Sequence, residues 1–135
     1  MRQFKLLILS AVFWVGTAAP ALAEVRAAQV AGKFYPDGRA ELLDLVTELL
    51  ERQPEPTQTA KPRILIVPHA GYQYSGLIAA NAFRHLQGQA YDGVVVVGFT
   101  HRMRFDGFSA DAAEVYATPL GEIPVHQEAV AVLRA

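Results

Sequence analysis

Two short runs, Arg63-Ile-Leu-Ile-Val67 and Gly93-Val-Val-Val-Val97, constrain the fold of this chain more than any other feature. Each is continuously aliphatic instead of alternating, the pattern of a strand covered on both faces, as in parallel sheets. Between them, Ile78, Ala79, Ala82, Phe83 and Leu86 repeat at helical spacing. Ser75 is placed to cap that helix, and Gly88 to end it in a left-handed conformation. Strand, helix, strand predicts a parallel βαβ unit with a right-handed crossover, so both strands open their C-terminal ends onto one sheet edge. The expected fold class is therefore α/β, a partial open parallel sheet with flanking helices.

The remaining segments fit around that unit. Asp37 is a good N-cap for a helix whose apolar face is Leu42, Leu45, Val46 and Leu49, running to about Arg52. Residues 53–62 contain three prolines and no apolar periodicity, which reads as an exposed connector. Gly107 to Asp111 suggests a short strand, Thr118-Pro-Leu-Gly121 a turn, and Gln127 onward a helix through Ala129, Val130 and Leu133. The sequence stops within that apolar-faced segment, so truncation is the expectation. The unfilled sheet edge would invite homo-oligomerisation.

The first 23 residues read differently. Arg2 and Lys5 precede the apolar run Leu6 to Val15, and Pro20 and Ala21-Leu22-Ala23 follow, the layout of a signal peptide cleaved after Ala23. The apolar run is short for a membrane span, so no stable span is expected after cleavage, and the domain, residues 24–135, is expected to be periplasmic or secreted. Loss of Arg2 and Lys5 leaves ten Lys and Arg against thirteen Asp and Glu, a formal charge of −3. With no basic stripe beyond Arg102 and Arg104, nucleic acid is not an expected partner. The chain has no cysteine, so no disulfide can brace it even outside the cytosol.

Each predicted strand ends at a histidine: the first runs into Pro68-His69, the second into Gly98-Phe-Thr-His101. Either alone reads as a hydrogen-bonded loop residue. At two strand ends of one edge, where ligands bind in open α/β sheets, the pair suits a transition-metal ion. Two imidazoles make half a site. A third protein ligand with open coordination positions would complete a catalytic centre.

Four blocks in order, Ala31-Gly-Lys-Phe-Tyr-Pro36, Val67-Pro-His-Ala-Gly-Tyr-Gln-Tyr-Ser-Gly76, Val97-Gly-Phe-Thr-His101 and Ala117-Thr-Pro-Leu-Gly121, give the chain its resemblance to the Memo-like family, called AmmeMemoRadiSam system protein B in bacteria. The resemblance covers the chain from Glu24 but only the N-terminal portion of the family's domain. It implies the fold of class III extradiol dioxygenases and a site holding iron or copper, with His69 and His101 as ligands. The family's further histidine and cysteine ligands belong to the C-terminal portion. His85 and His126 match neither. Two departures stand out: the family usually reads Gly-Pro-Ser-His where this chain has Gly98-Phe-Thr-His101, and usually has an acidic residue where His126 stands. Phe99 in place of proline frees a backbone N–H and adds a bulky ring beside a ligand.

Around the histidines, Tyr72, Tyr74 and Arg102 are candidate pocket residues for a small molecule or peptide, with Arg104 a further cation for an anionic group. Wet hydroxyls and exposed loop arginines are the common alternatives. Asp92 and Asp106 have no partner at a spacing that suggests paired acid–base chemistry. The leading expectation is an exported metal-dependent redox or dioxygenase-like protein. The alternatives are a non-catalytic peptide- or anion-binding module, in which the tyrosines and arginines carry recognition, and an inactive truncated remnant. Outside the cytosol copper or zinc would outcompete iron on affinity alone.

Overall fold

The computed structural model describes residues 23–57 and 60–134. The signal-peptide segment lies outside the described residues except for Ala23. Six elements follow: β1 (Val25–Arg26), α1 (Arg39–Glu51), α2 (Tyr72–Arg84), β2 (Val115–Thr118), β3 (Gly121–Pro124) and α3 (Gln127–Arg134). The sheet order is β1-β2-β3, with β1 parallel to β2 and β2 antiparallel to β3. The class is thus mixed α/β, with a small three-stranded sheet and three helices. Among the described residues no helix is long and apolar enough to cross a membrane.

Most of the packed interior lies between α1 and α2. Leu42 on α1 and Ala80 on α2 are buried, as is Gly76, where a Cβ would stand 3.0 Å from the Leu49 side chain. Glycine there lets the two helices approach closely. The proline-rich connector is pinned over the pair: Gln53 donates to the Leu49 carbonyl at 3.0 Å, Asn81 donates to Gln53 at 3.3 Å, and Arg84 pairs with Glu55. Arg84 also meets Gln87 beyond the helix end.

Both helix starts differ from expectation. α1 is capped by the extended Gly38, not by the Asp37 side chain. α2 begins at Tyr72 behind Gly71, so Ser75 lies in its first turn and donates its hydroxyl back to the Ala70 carbonyl at 3.0 Å. A buried serine hydroxyl needs a partner, and this carbonyl supplies it. Gly88 does adopt a left-handed conformation (φ 72°), but four residues beyond the helix end at Arg84.

The expected pair of parallel strands is the main correction. Arg63–Val67 and Gly93–Val97 are not strands, and among the described residues no backbone hydrogen bond links them. They do run side by side in one direction, tied at the start by Tyr91, which donates to the Pro62 carbonyl at 2.9 Å, and by Lys61, which donates to Ala90. A parallel strand pair exchanges water for neighbours on both edges and cover on both faces. Here the outer side is open: Ile66 is 94% exposed and Val96 90% exposed.

The sheet forms elsewhere. Gly107 to Asp111 is irregular, and the strand expected there lies downstream as β2. Thr118-Pro-Leu-Gly121 is the turn expected, and it closes the β2–β3 hairpin, with Thr118 opposite Gly121. The Thr118 hydroxyl accepts from Leu120 N–H at 3.2 Å and donates to the Gly121 carbonyl at 2.8 Å. Arg39, at the head of α1, donates to the Leu120 carbonyl and fixes the hairpin tip to the helix. Asp111 braces the sheet by pairing with Arg26 of β1 and accepting from Ala113 N–H at 3.0 Å. That backbone bond, with Arg26, holds its carboxyl below the usual aspartate range against a desolvation cost. α3 begins as expected, and His126 caps it: its Nδ1 accepts from Ala129 N–H at 3.2 Å.

Candidate functional site

The two side-by-side segments bring their histidines together. His69 follows Val67-Pro68, His101 follows Gly98-Phe-Thr, and their Nε2 atoms stand 3.2 Å apart. Both are exposed at the end of the segments. Thr100 shapes the turn just before His101: its hydroxyl accepts from the N–H groups of Arg102 (3.4 Å) and Met103 (3.2 Å), folding the chain back after the second run. The hydroxyl that this position shares with serine is thus put to use.

The spacing has two chemical readings. With a proton on one Nε2 it is an N–H···N hydrogen bond between imidazoles of different tautomers. With both Nε2 atoms unprotonated it is the spacing of two ligands on one ion. Imidazoles at adjacent corners of a tetrahedron, with bonds of about 2.0–2.1 Å, have nitrogens about 3.3–3.4 Å apart. At adjacent octahedral corners the figure is about 2.9 Å, and at opposite corners about 4 Å. The observed separation fits adjacent positions and not opposite ones. Among the described residues no group of three or more His, Cys, Asp or Glu side chains is arranged to hold an ion, so these two imidazoles stand as a pair.

Phe99 completes an aromatic triangle with them. Its ring centroid lies 4.9 Å from that of His69 in an edge-to-face arrangement and 4.6 Å from that of His101, while the imidazoles are 5.2 Å apart. The sequence marked Phe99 as a bulky neighbour. Its contact with both histidines was not legible there, because it depends on how two segments separated by thirty residues meet.

The other candidates lie elsewhere. Tyr72 donates its N–H to the Phe34 carbonyl at 2.7 Å and sets its ring 5.5 Å from that of Tyr35. Burial, with Tyr35 beside it, raises its hydroxyl above the usual tyrosine range. Tyr72 and Tyr74 line a cleft of about 700 Å³ between residues 32–37, α1 and α2, with Lys33, Asp37, Glu41 and Arg52 at its polar positions and neither histidine among its lining. Arg102 is exposed beside His101, and its side chain makes no hydrogen bond or ion pair among the described residues. The histidine pair and the tyrosine cleft are two places, not one.

Comparison with known proteins bears on the same residues. The sequence pattern of the Memo-like protein family matches residues 26–135, which includes the histidine pair, the tyrosine cleft and the hairpin. This chain belongs to the Memo-like family. It is 34% identical over 110 residues to a protein memo-1 homolog of Caenorhabditis elegans, covering 82% of this chain and 31% of that one. It is 33% identical over 104 residues to a MEMO1 family protein of Thermoplasma volcanium, covering 77% of this chain and 38% of the relative. A MEMO1 family protein of Aquifex aeolicus is 34% identical over 104 residues, with the same shares. This Memo-like chain therefore spans about a third of the length of these curated relatives, from 31% to 38%.

Proposed function

We propose that this Memo-like chain is an exported protein whose residues 24–135 form the N-terminal portion of a domain of class III extradiol dioxygenase-like fold, and that His69 and His101 hold one iron or copper ion for redox or dioxygenase-like chemistry. The observation that carries the proposal is the 3.2 Å separation of the two Nε2 atoms, the spacing of adjacent ligands on one ion. Bound there, such an ion supplies Lewis acidity and accessible oxidation states, with positions left open for a small molecule. The chain's own residues do the holding. Each imidazole must keep its proton on Nδ1 and offer the Nε2 lone pair. The Thr100-centred turn fixes the backbone that carries His101. Arg102, beside that turn, is placed to attract an anionic group.

Elemental analysis of the chain purified from the host's export compartment tests this, together with amino-terminal sequencing. The expected result is a mature protein starting at Glu24 that carries iron or copper, with metal lost in both His69→Ala and His101→Ala. Equal metal content in the wild type and both variants would sink the assignment.

A second reading is favoured by the cleft between residues 32–37, α1 and α2: a non-catalytic module binding a peptide or anion against Tyr35, Tyr72 and Tyr74, with Lys33 and Arg52 as cations. Chelation separates the two, since recognition in that cleft survives removal of metal whereas the histidine chemistry does not.

A further inference from the structure

Phe99 lies outside any helix or strand. It is 67% exposed, and the ring contacts of its side chain are with His69 and His101. An exposed phenylalanine loses little by pointing into water from a loop, yet this one closes on two polar rings from separate segments. Contacts with two rings at once restrict both imidazoles, because rotating either about its χ angles breaks an aromatic contact. The neighbouring segments cannot supply that restriction. They have no backbone ladder between them, and their ties through Tyr91 and Lys61 lie at the opposite end from the histidines.

We infer that Phe99 is a positioning residue for the histidine pair: a single aromatic ring that holds the two Nε2 atoms at the spacing one ion needs and keeps water from that side. The inference rests on the metal reading of the pair for its purpose, and on the ring geometry alone for its mechanism. A pre-positioned pair binds without first ordering two side chains, so the ring acts through affinity. It also acts through environment, since an apolar surface against two ligands lowers the local polarity that an ion experiences. Proline at this position would remove the ring and leave the histidines held by the turn alone.

The experiment has two arms on the full chain. In the metal-free protein, proton NMR of the imidazoles should show contacts from the Phe99 ring to both His69 and His101 and a contact between the two histidines. Phe99→Ala should lose the histidine-to-histidine contact, and Phe99→Tyr should keep it. In the second arm, cobalt(II) is titrated while its visible absorption is followed. Phe99→Ala is expected to weaken binding by about two- to tenfold, the equivalent of a lost aromatic contact, and Phe99→Tyr to restore it, with the far-ultraviolet circular dichroism of all three proteins alike. If Phe99→Ala keeps the inter-histidine contact, the positioning role is overturned. If that contact is lost but His69→Ala binds cobalt as tightly as the wild type, Phe99 orders a pair that does not bind metal, and it is the metal reading that falls.

Discussion

The α1–α2 pair and the two aliphatic runs beside it are built from similarly apolar sequence, yet one is packed and the other is open. The helices satisfy their backbone groups internally, so they need only one partner face, and each finds it on the other across Gly76 and Leu49. Arg63–Val67 and Gly93–Val97 cannot satisfy their backbones alone. A strand needs neighbours on its edges, and an aliphatic strand needs cover on both faces as well. Among the described residues no backbone ladder joins the two runs, and Ile66 and Val96 are left uncovered. Stability is therefore concentrated in the helix pair and the hairpin braced against it, while the histidines sit at the end of the less stabilised segments. Local cohesion is low where the candidate chemistry lies.

That contrast can be broken most severely at the helix interface. Gly76→Val places branched carbons against Leu49 and should lower stability by about 1–3 kcal/mol in urea unfolding. By contrast, Ile66→Thr and Val96→Thr alter side chains that are almost fully exposed. They should change the unfolding free energy by less than about 0.5 kcal/mol while reducing concentration-dependent light scattering. Loss of stability in the second pair as large as in the first would mean that the runs are packed in solution and the contrast is false.

A smaller effect tests the end of the chain. His126→Ala removes the acceptor that caps α3 and should cost about 1 kcal/mol, seen as earlier loss of helical dichroism. His126→Asp keeps an acceptor and adds negative charge at a helix N-terminus, and should recover the loss or gain a few tenths of a kcal/mol. The smallest effect concerns acid. Asp111 has a carboxyl held below its ordinary range by the Ala113 N–H and Arg26, so its contribution is present above the unfolded-state range and is lost as pH falls through the folded value. Asp111→Asn should therefore lower stability slightly at neutral pH, where the charged carboxylate contributes, and flatten the fall in stability below the ordinary aspartate range, so that the two proteins converge in acid.

What could be read from the sequence follows the same division. The three helices were legible because their apolar spacing and the satisfaction of their backbones are both local. Their caps were less so: Gly38 and Gly71 precede the helices where Asp37 and Ser75 had been favoured, because a capping side chain competes with other partners, and Ser75 found one in Ala70. β2 and β3 escaped notice because four-residue strands such as Val115-Tyr-Ala-Thr118 and Gly121-Glu-Ile-Pro124 carry no long aliphatic run. The runs that did look like strands lack partners among the described residues. The convergence of His69 and His101 was visible from their positions after those runs. The separation of Tyr72 and Tyr74 from them was not, because residues that follow His69 closely in sequence turn into α2 and face residues 32–37 instead. His126 stood out only as a departure from an acidic position, and its capping bond gives that position a role that a carboxylate would also fill.

The central claim, that the two imidazoles share one ion, is tested most directly by X-ray absorption at the metal edge of the chain loaded with copper or iron. Two histidine rings at ordinary metal–nitrogen distance are expected in the wild-type spectrum, and their signature is expected to be absent in His69→Ala, in His101→Ala and in the double variant, since either substitution alone loses the ion. A wild-type spectrum without imidazole scattering, or one unchanged in the double variant, would contradict it.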